Sequence, residues 1–515
     1  MRTPLTRALV AVLAPAIVLG IANLAPAGAA PAAVTGTPST GHAAATSILD
    51  QVVDAFSAAP AARSSKPAAT TGDQGRDVTL LLRDLSSALP SLSASERATA
   101  QKYLARPTDG GGDNIGNNQF ITLNGTIATY NTTHFLIHYQ SAAPLLGPNQ
   151  KTTLTQVKLT ADKIEEAYKA EVTKMGFRAP RSDSATASPG DPNNPNGKID
   201  VYLADLGGNN RGLYGYVSTD DSDTSSTAAP YMVLDNDFKP SQFGGAPAVN
   251  SLKVTVAHEF FHAVQFAYDY QEASWFLEAT AVWMEDQVYP TINDYLQYLG
   301  DSQITQPGVS LNANPDPYAG VIFWKFLSER FHDTGIIRDV FNKAAVSAGN
   351  RNGRQAVAAE MVARKTTFSI QFGNYASWNT LPAGSYADRR YFPAFKRWFT
   401  KTLGKGATTG SKAISLNHLA SSNFVLYPGS SLRSSSRVKV TVNGPNRVHV
   451  PTARVQVRYR SGAVTTSKVA LDSAGNGSTY VPFGDGKVSS VVVTLSNASA
   501  ADNSQAFRVR ATAAY

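Results

Sequence analysis

Three residues in the stretch VTVAHEFFHAVQFAYDY (254–270) have the types and spacing that chemistry needs: His258, Glu259 and His262. On a helix of 3.6 residues per turn, positions i and i+4 share a face, so two imidazoles four apart can address one ion. Zinc takes neutral imidazole nitrogens at about 2.0–2.1 Å, and a catalytic zinc keeps one tetrahedral corner for water. Glu259 lies about 100° round the helix, where its carboxylate reaches that water without occupying the metal. The ion lowers the water's pKa towards about 7, and the carboxylate then takes its proton during attack on a carbonyl. The alternative is a pair of histidines on a helix surface. The flanking Val254, Val256, Ala257, Phe260, Phe261, Val264 and Ala267 disfavour it, because a helix that is apolar nearly all round is buried, and buried histidines need partners.

A third ligand is offered by SWFLEATAVWMEDQVY (274–289). Glu278 follows a short polar loop, Asp269 to Ala273, and sits on a second apolar helix able to pack back on the first. A structural carboxylate paired with a base is the other role open to it. Glu285, seven residues on, shares its face and is placed to orient a ligating histidine through its second nitrogen, or to ligate directly.

His258-Glu259-Phe260-Phe261-His262 followed by Trp275-Phe276-Leu277-Glu278-Ala279-Thr280-Ala281 resembles the zinc signature of the gluzincin metallopeptidases, which include thermolysin-like proteases and a class of zinc aminopeptidases. Trp275, Glu278, Ala281, Trp283 and Glu285 are in phase with the aminopeptidase form of the second segment, while the spacing from His262 to Glu278 is slightly shorter than in either branch. The resemblance implies His258, His262 and Glu278 as zinc ligands and Glu259 as general base, in a small family of secreted bacterial metalloproteases. The segment PDPYAGVIFWKFLSERF (315–331) resembles the aminopeptidase segment whose tyrosine stabilises the oxyanion, which implies that role for Tyr318; Gly320 stands two residues after it where the family has three. A packing tyrosine is the alternative. No Gly-X-Met-Glu-Asn segment, which anchors a free amine in those aminopeptidases, precedes His258. Endopeptidase action is therefore the expectation. A substrate is expected to pair by its main chain with the strand PYMVLDND (230–237).

The rest of the chain must position these groups. Its 515 residues exceed one ordinary core. The 43% hydrophobic and 16% charged residues are those of a globular protein. There is no cysteine, which excludes disulfides, thiol nucleophiles and Cys-based metal sites. A net charge of +8 is spread along the chain, so no nucleic-acid partner is expected. Residues 1–30 have a basic start, an apolar run and APAGAA, and read as a signal peptide, with a membrane anchor as the alternative. A secreted, extracellular protein with no membrane association after cleavage follows.

Residues 31–117 alternate Ala/Pro/Ser/Thr-rich stretches with short helical patterns and read as a partly disordered propeptide, or else a permanent helical N-terminal domain. From 118 to 290 strands and helices mix, with an amphipathic helix over 152–175 and Asn250 or Ser251 as the cap of the active-site helix. Residues 291–412 read as a helical lower half that includes FPAFKRWFTKTLG (392–404). From 425 to 515 the period is two, with about seven short strands. The expected class is α+β: a zincin-type catalytic domain followed by an all-β sandwich, the latter a candidate for binding a surface or polymer. DPNNPNGKID (191–200) carries Asp191, Asn193, Asn196 and Asp200, oxygen donors of the kind Ca2+ favours, although the spacing fits no EF-type loop and a turn is the alternative.

The expected function is a secreted Zn2+-dependent endopeptidase acting on protein or peptide substrates. An aminopeptidase, or a non-catalytic adhesion protein on the same scaffold, are the alternatives.

Overall fold

The computed structural model describes residues 41–57, 77–109, 121–143, 150–182, 194, 197–208, 212–221 and 226–514. The expected signal peptide, and Asp191, Asn193 and Asn196 of the calcium candidate, lie outside them. Asp200 is described, and its two oxygens face Arg106 Nη1 at 2.6 Å and His138 Nε2 at 2.9 Å. No helix among the described residues is long and apolar enough to cross a membrane.

The chain is mixed α and β, with a β-rich C-terminal part. Three N-terminal helices come first: α1 (His42–Phe56), α2 (Thr79–Ala88) and α3 (Ala94–Leu104). A capping box between Ser93 and Glu96 starts α3, each side chain bonding the other's backbone N–H. Strands β1 (Thr126–Asn131) and β2 (Phe135–Ala142) lead to α4 (Leu154–Tyr168), which continues as a π-helical turn over Lys169–Lys174. Strands β3 (Ile199–Ala204), β4 (Gly215–Ser218) and β5 (Tyr231–Asp235) complete a five-stranded sheet in the order β1-β2-β3-β5-β4. Only the β2–β3 and β3–β5 pairs are parallel.

Alternation along these strands sorts their side chains to two faces. Val201, Leu203, Val217, Met232 and Leu234 join the main core under the sheet. Tyr202, Ala204, Tyr216, Tyr231 and Val233 point the other way, into a second core that α1, α2 and α3 close with Leu49, Phe56, Leu82 and Leu85. The N-terminal helices are thus packed on the sheet.

The main core is centred on α5 (Ala248–Gln265), where 14 of the 18 residues are buried, and on α6 (Ser274–Val288). The sequence predicted α5's start at Asn250 or Ser251, but the helix begins at Ala248 behind Pro247. Proline's fixed φ and missing N–H suit a helix entrance. Helices α7 (Val321–Phe331), α8 (Gly335–Ala344), α9 (Gly353–Ala363) and α10 (Phe368–Trp378) form the helical half and share that core.

Two expectations change in the C-terminal part. FPAFKRWFTKTLG is not a helix: its second half is β6 (Phe399–Leu403), hydrogen-bonded parallel to β8 (Ala420–Pro428). Phe399 stacks on Phe424 at 4.7 Å, and this cross-strand partner, absent from the local pattern, outweighs helical spacing. The β-rich part therefore starts at Phe399, ahead of the expected 425. It has nine strands in two sheets: β11-β10-β13-β8-β6 and β12-β9-β14-β7, where β7 is Lys412–Leu416, β9 Arg437–Asn443, β10 Pro451–Tyr459, β11 Val464–Lys468, β12 Asn476–Pro482, β13 Val488–Asn497 and β14 Gln505–Ala514. Val440, Val455, Val493 and Val509 belong to the core they enclose.

Candidate metal centre

The His-X-X-X-His spacing sets His258 and His262 one turn apart on α5, and both are buried. Their Nε2 atoms are 3.1 Å apart. The Glu278 carboxylate arrives from α6, with Oε2 3.3 Å from His258 Nε2 and 3.4 Å from His262 Nε2. The two helices are tied at this point by Gln265, whose amide nitrogen donates to Leu277 O (2.9 Å) and Thr280 Oγ1 (3.0 Å). The amide oxygen of Gln265 is left to accept from His262 Nδ1 at 2.7 Å. His258 Nδ1 likewise donates to Glu285 Oε1 at 2.8 Å.

These second contacts decide the tautomers. With a proton on each Nδ1, both Nε2 lone pairs face one point. Two lone pairs at that separation repel unless a cation lies between them. Ligands about 2.05 Å from a tetrahedral ion stand about 3.3 Å apart, and the distances above lie close to that. The Glu278 Oε2 atom is buried without a hydrogen-bond partner, as a ligand atom should be. A fourth group, Asp77, joins the cluster from the loop before α2, with Oδ2 3.2 Å from His262 Nε2 and 3.7 Å from His258 Nε2. The four ligand atoms lie within 4.8 Å of one another, so this buried group could hold a metal ion.

Electrostatics agree. Burial works against a charged imidazole, yet the carboxylates of Glu278 and Asp77 outweigh it and push His262 up to about 10. His258 is raised well above its usual value because Asp77, Glu278 and Glu285 overcome the same burial. Burial also acts against the Asp77 carboxylate, but both imidazoles hold it below the usual range. The surroundings thus select positive charge at the Nε2 atoms, where protons stand in for a cation.

Glu259 points beside the cluster. Burial, then the Asp77 charge, push it up to about 8. Gly215 on β4 makes room for it: a Cβ there would lie 2.9 Å from Glu259 Cγ and 3.0 Å from Thr255 Cγ2. Tyr318, in the 3-10 turn Pro317–Gly320, stacks on His258 at 5.5 Å and lines the same pocket as Glu259, Tyr214 and Thr255. His258, Glu259, His262, Glu278, Glu285 and Tyr318, singled out in the sequence for the zinc site, are therefore at this one place. The expected substrate strand is different: β5 is paired on both sides, and β4 is the edge. Sequence reasoning missed Asp77, Gln265 and Gly215. Gln265 carries a retrievable signal, three residues past His262 and so over the same face of the helix.

No family model matches the sequence, and no curated protein matches it. Among solved structures, the chain is similar over 54% of its length to a 4-O-methyl-alpha-glucuronidase of glycoside hydrolase family 115 with specificity for decorated arabinogalactans. The identity is 8% and the TM-score 0.15, and the match spans 45% of that chain, under half its length. A likeness of that size carries no argument about fold or function.

Proposed function

We propose that the protein is a secreted zinc endopeptidase of the gluzincin type, with a zincin catalytic lobe and a C-terminal β-sandwich. The observation that carries this is the convergence of two Nε2 lone pairs and the Glu278 carboxylate, each held from behind, beside a glutamate that makes no such convergence. Two imidazoles and a carboxylate are the donor set of hydrolytic zinc. When bound, zinc polarises the scissile carbonyl and lowers the pKa of a water.

The chain's own residues do the rest. Glu285 and Gln265 fix the imidazole planes and hold a proton on each Nδ1, which leaves the Nε2 atoms as the ones that would face a metal. Glu259 takes the water's proton and delivers it to the leaving amine, a role suited to a carboxyl raised towards neutrality. Tyr318, against His258, donates its hydroxyl to the oxyanion. The extended substrate lies along β4, the edge strand that carries Gly215 over Glu259.

The test is Glu259→Gln, assayed on a peptide blocked at its N-terminus, with and without limited proteolysis ahead of the catalytic lobe. Near-stoichiometric zinc in both proteins and a loss of about 10²–10⁴-fold in hydrolysis by the variant are expected. A chain that binds no zinc, or a variant as active as wild type, sinks the proposal. Cleavage of free but not blocked peptides would turn it into an aminopeptidase.

A further inference from the structure

Three ligands from α5 and α6 would leave a tetrahedral ion one corner, and hydrolysis needs that corner for water. Asp77 stands in it. Its Oδ1 accepts from Thr79 N at 2.6 Å, in a turn just ahead of α2, while its buried Oδ2 has no hydrogen-bond partner and faces both imidazoles. A carboxylate oxygen in that position calls for a cation.

The next residues take up the rest of the machinery. Thr79 Oγ1 donates to Glu259 Oε2 at 3.1 Å and accepts from Val217 N at 2.8 Å. Asp77 forms a parallel β-bridge with Gly215. One short segment therefore meets the metal cluster, the general base and the edge of β4 together. Anchors hold it there: buried Arg83 Nη1 donates to Glu272 O at 2.6 Å, just before α6, and Tyr231 Oη donates to Leu104 O at 2.8 Å.

We propose that Asp77–Thr79 is a built-in plug, in which Asp77 supplies the fourth ligand of the bound metal and the segment lies along the path of a substrate's main chain. The full chain is then latent, and withdrawing the segment opens the corner to water and the β4 edge to substrate. This rests on the zinc endopeptidase proposal. A permanent four-ligand structural site is the competing arrangement, since structural zinc is fully coordinated by protein.

Cobalt(II) loaded into the full-length chain gives a visible spectrum that reports coordination, and acetohydroxamate is a small probe for an open corner. The wild-type spectrum should not move on titration with the probe. Asp77→Asn keeps the carbonyl oxygen that accepts from Thr79 N; it should retain one cobalt, change the spectrum and bind the probe at least about tenfold tighter, because an intramolecular competitor acts at millimolar effective concentration. Hydrolysis of the blocked peptide should still await proteolysis, because the variant keeps the segment on the β4 edge. Sub-millimolar probe binding by the wild-type chain overturns the plug whatever the variant does. Loss of cobalt from Asp77→Asn while wild type keeps it overturns it too, in favour of a structural site. Absence of cobalt from both proteins defeats the metal site itself, and the plug with it.

Discussion

Replacing Gln265 with Met tests whether the metal site is organised from behind. The substitution keeps volume and apolar packing but removes three hydrogen bonds: the acceptor for His262 Nδ1 at 2.7 Å and the donors to Leu277 O and Thr280 Oγ1. Without its acceptor, His262 is free to adopt the other tautomer or to rotate, and Nε2 no longer presents a fixed lone pair. Loss of such a partner costs about 10–100-fold in metal affinity, which is about 1.4–2.7 kcal/mol. The orphaned buried Nδ1–H costs about 1–3 kcal/mol of stability, whereas Leu277 O keeps the Thr280 hydroxyl as a donor at 3.0 Å. Zinc affinity is read by competition with a chromophoric chelator, and stability by denaturant unfolding at saturating metal. Gln265→Glu separates the two effects: it restores an acceptor to His262, so affinity recovers, but it sets a carboxylate oxygen against Leu277 O and Thr280 Oγ1 where an amide donated, so stability does not. Zinc affinity in Gln265→Met within a factor of about two of wild type would refute the reasoning.

Two further outcomes follow from single positions. Gly215→Ala places a methyl group against Glu259 Cγ and Thr255 Cγ2; it should leave zinc content unchanged and lower kcat about ten- to a hundredfold through misplacement of the base, measured after limited proteolysis. Glu272 is buried with Oε2 unpartnered, and burial pushes it up to about 7 from 4.5. A carboxyl raised in the folded state contributes stability that is present below about pH 4.5 and lost as pH rises through about 7. Glu272→Gln should therefore unfold at higher denaturant than wild type above pH 7, by an upper limit of about 3 kcal/mol, and the gap should close in acid; a difference constant with pH would contradict the assignment.

The helix that carries His258, Glu259 and His262 was legible because its spacing is local. His258, Glu259 and His262 need only the helical period to meet, and Glu278 and Glu285 need only one short turn and a second apolar helix. Gln265 was missed although it obeys the same period, because a glutamine in a helix has no chemistry of its own until its partners are known. Asp77 and Thr79 were out of reach for a different reason: Thr79 meets Glu259 across 180 residues, and an aspartate two residues before a threonine looks like an ordinary helix cap. β6 shows the same limit, because its alternation is poor and its partner β8 lies beyond a further strand. The N-terminal helices were visible as helices, whereas their docking depends on which face of the sheet is left apolar, a matter of strand order that no local pattern encodes.

The helices that carry Asp77 also roof the outer face of the first sheet, where Phe56 lies edge-on to Tyr216 at 5.8 Å. Shedding them would bare Tyr202, Tyr216, Tyr231 and Val233 to water, an aromatic patch of the kind that makes proteins stick to one another. A single nick between α3 and β1 should therefore yield two polypeptides that elute together and separate only in detergent, with the plug still seated, so that latency outlasts the first cut.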